Sequence, residues 1–211
     1  MNTRTLPTMQ HEWNLAQGGH RYIAGIDEAG RGAWAGPVVA AAVILPISQS
    51  TIVSLRGVND SKKLSSRQRD EMKPVIQQTA VACGIGSAAQ DEIDRLGIMA
   101  ATRLAMQRAV EGLSTSPDAL IIDAVRLPAL ALPQDVFYYA DAVSLSVAAA
   151  SIIAKTWRDE VMRQLDSVLP GYGFAAHKGY GTRSHQAALH QHGVTWAHRR
   201  SYAPIRRLCD S

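Results

Sequence analysis

Two acidic residues stand side by side in GIDEAGRGAWAGP: Asp27 and Glu28 end an apolar run and lead straight into Gly30, Arg31, Gly32 and Gly36. Like charges this close repel, and the repulsion destabilises a fold unless a counter-charge offsets it. Two more carboxylates close apolar runs further on, Asp123 in DALIIDAVRLP and Asp141 in DVFYYAD. Strands that bring all four to one sheet edge would build an all-oxygen set, which selects Mg2+ or Mn2+ over zinc. Two such ions about 3.5 to 4 Å apart can activate a water and stabilise the leaving oxygen of a phosphodiester. The missing counter-charge would then be metal. Neighbours on an ideal strand point to opposite faces, so Asp27 and Glu28 share one cluster only if the longer Glu reaches around or the strand bends at the glycines. A single Asp at a strand end is otherwise a turn former or a helix cap, and Asp141, just before a helix, is the plainest case. Residue types and spacing leave both readings open.

The neighbouring residues have the same double character. Glycines let backbone amides approach a phosphate or sugar closely, and Arg31 can pair with a phosphate. The Gly-x-Gly is no dinucleotide fingerprint, because an apolar strand follows it instead of a helix. In NDSKKLS, Lys62 and Lys63 precede a helix N-terminus, either as a phosphate seat or as a solvated turn. Tyr172 and Tyr180 lie in Gly-rich segments, where an exposed ring could stack on a base or sugar. Five of the seven histidines fall between His177 and His198, without companions at zinc spacings, and are expected at the surface or on backbone contacts.

Positioning these groups requires particular elements. RYIAGID and GPVVAAAVILP are expected as strands joined by a Gly-rich hairpin loop, VACGIGSA as a third, and DALIID and DVFYYAD as two more. Ser65 or Ser66 would cap a helix through RQRDEMKPVIQQTA, with Pro74 as a kink or early stop. Apolar residues recur at helical spacing through DEIDRLGIMAATRLAMQRAVEGL, predicted as one helix. Residues 144–169 form a long helix opening with SVAAASIIA, whose small residues permit close packing; SHQAALHQHG is a shorter one. Strands alternating with helices, begun by a hairpin, indicate an α/β domain with a mixed sheet.

The 211 residues fit one domain with a small appendage, and 46% hydrophobic with 19% charged residues is a globular composition. The net charge of +4 is uneven: from His177 onward six basic residues face one acid, Asp210, a bias towards polyanions. Cys83 and Cys209 make neither a metal spacing nor a disulfide framework, and the start MNTRTLPTMQHEWN has no apolar core, so a reducing cytoplasm is expected. The longest apolar run, VVAAAVILPI, is far too short for a membrane helix, and no membrane partner is expected. Residues 1–20 are polar and expected to be a flexible arm.

The blocks GIDEAGRGAWAGPVVAAAV, NDSKKLS, SVAAASIIAKTWRD, PGYGFAAHKGYGT and HRRSYAP, in this order from about residue 22 to 205, closely resemble ribonuclease HII. The resemblance implies a ribonuclease H-like mixed sheet flanked by helices, with a catalytic core over residues 21–170 and a helical, basic substrate-binding extension over 171–211. It implies an endonuclease that hydrolyses the RNA strand of RNA/DNA hybrids and cuts 5′ to single ribonucleotides in duplex DNA, leaving 5′-phosphate and 3′-hydroxyl ends, in ribonucleotide excision repair and RNA primer removal. By motif, Asp27, Glu28, Asp123 and Asp141 are the four acids of a site for two Mn2+ or Mg2+ ions. Gly30, Arg31 and Gly32 match the loop that contacts the ribose 2′-hydroxyl, and Tyr180 the tyrosine that packs on the sugar after the junction. That hydroxyl is what separates RNA from DNA at such a site. Lys62 and Lys63 would hold phosphates, and the protein would act as a monomer. Two departures touch local contacts: DAVRLP stands where many members have Gly-Asn after the third acid, and YADAVSLS where many have Lys-Gly before the fourth. Another two-metal nuclease, such as a 3′ to 5′ exonuclease, and a non-catalytic hybrid binder are the competing readings.

Overall fold

Alternation along the strands decides the layering. In a computed structural model that describes residues 6–210, five strands form one sheet in the order β3-β2-β1-β4-β5. They are β1 (Ile23–Ala29), β2 (Val38–Ile44), β3 (Ala82–Ala88), β4 (Ala119–Asp123) and β5 (Gln134–Phe137). The pairs β1/β2 and β2/β3 are antiparallel; β1/β4 and β4/β5 are parallel. Ala24, Ile26, Ala40, Ala42, Leu120 and Ile122 bury one face of the sheet against helix α5 (Ile98–Glu111), through Ala101, Ala105, Met106 and Ala109. Their neighbours of opposite parity, Ile23, Ala41, Val43 and Ile121, pack on the other face against the long helix α6 (Leu145–Val168). A strand buried on both faces reads as a continuous apolar run, as β2 does. The mixed α/β sheet expected from the sequence is therefore present.

The small-residue opening of α6 lets it lie directly on β1: a Cβ on Gly25 would stand 2.3 Å from the backbone carbon of Ser146. Helix α3 (Ser66–Thr79) starts on a capping box made by Ser65 and Gln68, as expected, and runs through Pro74. Pro74 and Asp70 are both exposed, so the carbonyl that loses its partner at Asp70 faces water and the helix need not stop there. The helix predicted from Asp91 onward is two, α4 (Gln90–Leu96) and α5, divided at Gly97, whose φ of 78° lies in the left-handed region. The remaining helices are α1 (Gln10–Gln17), α2 (Gln49–Ser54), α7 (Phe174–His177), α8 (Arg183–His192) and α9 (Ala203–Cys209).

The arm expected over residues 1–20 is, from residue 6 on, part of the fold; residues 1–5 lie outside the described residues. Met9 and Glu12 are buried. Thr8 forms a parallel bridge with Ser144, and Thr8 N–H and carbonyl bond to Val143 and Leu145 on either side of it. One Glu12 oxygen, Oε1, accepts from Ser144 Oγ, Ser146 N–H and Ser146 Oγ at 2.7, 2.9 and 2.6 Å, so α1 is fastened to the start of α6. The C-terminal helices form their own apolar cluster, Tyr172, Phe174, Leu189, Ala197 and Ile205, against Met162 of α6 and Ala35. Among the described residues no helix is long and apolar enough to cross a membrane.

Candidate active site

Register brings the first and third acids together. Ile26 of β1 stands beside Ile122 of the parallel strand β4, which makes Asp27 and Asp123 the next residues along two adjacent strands. Both share the parity of the face that packs on α6. Glu28 has the opposite parity, yet it lines the same cleft as Asp27, because β1 ends one residue later at Ala29 and leaves the edge open. The cleft, about 300 Å3, is lined by Asp27, Glu28, Asp123, the Gly30–Arg31–Gly32 loop, Ser61, Lys62, Lys155 and Tyr180. Asp141 lies in a single 3-10 turn, Ala140–Ala142, after the end of β5 and ahead of α6, whose cap is Ser144. It is therefore neither strand end nor helix cap. Asp123 Oδ1 accepts from Ala140 N–H at 2.8 Å, which ties the third acid to the turn carrying the fourth.

The carboxylates are held against their own chemistry. Burial raises the Asp27 carboxyl well above the ordinary range, and the neighbouring Glu28, Asp123 and Asp141 push it further. Burial also raises Glu28, against the hydrogen bond and charge of Arg31, and raises Asp141, against the charge of Lys62. Arg31 Nη1 donates to Glu28 Oε1 at 3.0 Å, and Lys62 Nζ stands 3.5 Å from Asp141 Oδ2. Glu28 Oε2 is buried with no hydrogen-bond partner, and the buried Asp141 Oδ2 has the Lys62 ion pair but no close hydrogen bond. Hard oxygen donors, mutual repulsion and orphaned oxygens are what a divalent cation would relieve. Among the described residues no three His, Cys, Asp or Glu side chains converge on a common point. Glu28 is turned onto Arg31 and Asp141 faces Lys62, so the donor set fits a cation by chemistry while its side chains rest on protein partners.

The two lysines separate. Lys62 lines the cleft, whereas Lys63 pairs with Asp60 at 3.6 Å and does not line it. The two outer glycines of the loop also separate. Gly30 has φ 94°, and a Cβ there would stand 2.0 Å from Arg158 Nε; a Cβ on Gly32 would meet nothing within 4 Å. Gly30 is thus required by packing, and Gly32 leaves open space on the cleft side. The Tyr180 ring, 36% exposed, lies over the cations of Lys155 and Arg158 at 5.8 and 5.5 Å. Tyr172, considered above as a stacking ring, is instead buried, with its hydroxyl on the carbonyls of His192 and Gly193.

Sequence reasoning passed over α6 as a source of site residues. Ser151, Lys155, Arg158 and Asp159 recur at helical spacing on its cleft-facing side, a signal hidden beneath the small-residue run. The Ser151 hydroxyl donates to Ser61 Oγ at 2.8 Å, beside Asp27. Arg158, fully buried, donates to the carbonyls of Pro37, Lys178 and Ala35 at 2.9, 2.9 and 3.1 Å. Arg199, also buried, donates to the carbonyls of Gly36 and Arg31 at 2.9 Å each. Together they stitch the glycine loop to α6 and to the C-terminal segment, so Arg199 is interior and unavailable to a phosphate. Among the described residues three non-glycine residues have left-handed φ, Ala124, Tyr139 and Lys178, each within two residues of a proposed site residue. Such strain collects at functional sites. Ala124 and Tyr139 also fall in the two segments that depart from the family pattern.

Comparison with known proteins identifies a family and a fold. The family profile described as Ribonuclease HII matches residues 24–205. The curated Ribonuclease HII of Desulfitobacterium hafniense is 51% identical over 202 residues, covering 96% of this chain and 76% of that one. That of Chloroflexus aggregans is 49% identical and covers 97% of both. Among solved structures, the ribonuclease H2 of Pyrococcus horikoshii superposes with a TM-score of 0.76 at 25% identity, over 90% of this chain and 97% of that one.

Proposed function

Since the chain belongs to the ribonuclease HII family, metal-dependent ribonucleases H that degrade the RNA of RNA/DNA hybrids, we propose that it cuts 5′ to a ribonucleotide, single embedded ribonucleotides included, at the cleft of Asp27, Glu28, Asp123 and Asp141. The observation that carries this reading is the gathering of Asp27, Glu28 and Asp123 in one cleft, with Asp141 tied to it through Lys62 and the Asp123–Ala140 bond, beside a glycine loop and the exposed ring of Tyr180. The four acids would hold two Mg2+ or Mn2+ ions. Such ions lower the pKa of an attacking water and stabilise the leaving oxygen, giving 5′-phosphate and 3′-hydroxyl ends.

The chain's own residues supply position and selectivity. Lys62, with its amine beside Asp141, would meet the phosphate next to the cut. Gly32 lets the loop backbone approach the ribose 2′-hydroxyl without a side chain intervening. Arg31 is fixed at both ends, its guanidinium on Glu28 and Met99 Sδ and its carbonyl on Arg199 and Tyr202. The Tyr180 ring, backed by two cations, would pack on the sugar that follows the junction. An all-DNA duplex lacks the hydroxyl that this loop is shaped to receive. The protein would work as a monomer in repair of ribonucleotides in DNA.

Asp27→Asn and Asp141→Asn test the reading on a uniform RNA/DNA hybrid. Each variant should lose turnover by at least about 100-fold while still binding hybrid in chelator, and calorimetric Mn2+ binding should weaken. A variant that keeps turnover, or Mn2+ binding unaffected by both changes, would remove these carboxylates from the chemistry.

A further inference from the structure

Residues 177–182, which carry Tyr180, are held by histidines that the cleavage does not use. Thr195 N–H donates to His198 Nδ1 at 3.0 Å, so that nitrogen is bare and the neutral ring carries its proton on Nε2. His198 Nε2 lies 3.1 Å from His185 Nε2. At its other nitrogen His185 Nδ1 lies 3.0 Å from the Tyr180 carbonyl oxygen, which can only accept. His185 therefore carries its proton on Nδ1 and accepts from His198. The chain from Thr195 through His198 and His185 to Tyr180 closes in one direction only, and only with both rings neutral. His177, stacked on His185 at 4.4 Å, is fixed likewise: Gly179 N–H donates to its Nδ1 at 3.1 Å, and its Nε2 donates to the Tyr172 carbonyl at 2.7 Å. All three rings are buried among Phe174, Tyr172 and Trp34.

We infer that His198 and His185 form a fixed-tautomer relay that holds the Tyr180 backbone and thereby sets how its ring meets the sugar at an RNA-to-DNA junction. Both are positioning residues, and the inference rests on the role proposed above for Tyr180. The rest of the segment is already immobilised: Tyr180 N–H donates to the His177 carbonyl at 3.0 Å, and a Cβ on Gly181 would stand 2.1 Å from the Trp34 ring. The His185 bond, with the Thr182 N–H at 2.8 Å, completes the anchoring of the Tyr180 carbonyl. Without that donor the carbonyl keeps only the Thr182 N–H, and the ring is held less firmly at its angle to the cleft.

Two-bond proton–nitrogen correlation spectra of the full chain at pH 7 read the tautomers directly. The relay requires the proton on Nδ1 of His185 and on Nε2 of His198 and His177. A His185 protonated at Nε2, or at both nitrogens, overturns it. Function is read as the ratio of cleavage at one embedded ribonucleotide to cleavage of a uniform hybrid. His185→Phe keeps a ring in the stack but cannot donate, and should lower the ratio about fivefold to tenfold, the worth of one hydrogen bond. His185→Asn, whose amide donates from the place of Nδ1, should restore most of it. An unchanged ratio in a His185→Phe protein that melts like the parent overturns the positioning role. If that variant does not fold, His198→Met against His198→Gln decides the same point, since only the glutamine can donate to His185. A parent enzyme that cuts hybrids but shows no preference at the junction, with the tautomers as required, would instead contradict the role of Tyr180 and leave the relay purely structural.

Discussion

Burial and the neighbouring Glu28, Asp123 and Asp141 raise the Asp27 carboxyl, so the fold disfavours its charged form. Asp27→Asn keeps the acceptor that meets Glu28 N–H at 2.7 Å and removes the charge. We expect it to stabilise the chelator-treated protein by about 0.5–2 kcal/mol while abolishing cleavage; equal or lower melting temperature would mean that the repulsion is already relieved. His185 and His198 show the opposite linkage. Burial lowers each from 6.5 to about 4, so their neutral forms contribute stability that is complete above pH 6.5 and lost as pH falls towards 4. Ring-proton shifts followed against pH should show both titrating near 4, and a midpoint near 6.5 would contradict their burial. Asp27, Glu28, Asp123 and Tyr180, which line one cleft, were legible as single residues because each sits in a short, distinctive block, whereas Asp141 was expected at a strand end and lies in a 3-10 turn. The inward histidines were not legible: sequence shows that five lie close together, but not that three of them are buried, because that depends on how Trp34, Tyr172 and Phe174 pack around them.

Elements place those residues, and here small side chains decide. Gly30 and Gly32 look alike in sequence, yet one faces Arg158 and the other open space. Gly30→Ala should displace Arg158, lower the melting temperature and reduce activity together. Gly32→Ala should melt like the parent and lose mainly cleavage at embedded ribonucleotides; a destabilised Gly32→Ala would remove the distinction. At the start of α6, Glu12→Ala would leave the Ser146 N–H and two hydroxyls without their acceptor, a loss of about 1–3 kcal/mol. Because Asp141 lies three residues before Ser144, the same change should raise the Mn2+ concentration needed for half-maximal rate, and an unchanged requirement would show that the fourth acid is held without α1. The strands and α6 were readable from apolar runs and period. Helix α1 was not, since QHEWNLAQ is polar and its one inward carboxylate finds its partners 132 and 134 residues away. The break at Gly97 was missed because the apolar period continues across it.

Across the molecule, four apolar clusters of the described residues, on and beside one sheet, fix the cleft, and two buried guanidiniums lace the glycine loop to both α6 and the C-terminal segment. The basic excess of that segment is therefore not all available to a polyanion: Arg199 is interior, whereas Arg183, Arg200, Arg206 and Arg207 are exposed. Hybrid affinity of the Asp27→Asn protein should fall steeply with salt, the logarithmic slope losing about 0.7–0.9 for each phosphate contact removed. Arg199→Ala should leave that slope unchanged and lower the melting temperature instead. Charge counting from sequence could not divide these arginines, because burial depends on carbonyls more than 160 residues distant. The central claim is that the carboxylate cleft, the glycine loop and Tyr180 together select a ribonucleotide within DNA. It is tested most directly by a labelled DNA duplex with one internal ribonucleotide, incubated with Mg2+, with Mn2+ and with chelator, beside an all-DNA control. One metal-dependent cut 5′ to the ribonucleotide, absent from the control and from Asp27→Asn, is the predicted result. Cleavage of long hybrids with none at the single ribonucleotide would contradict it.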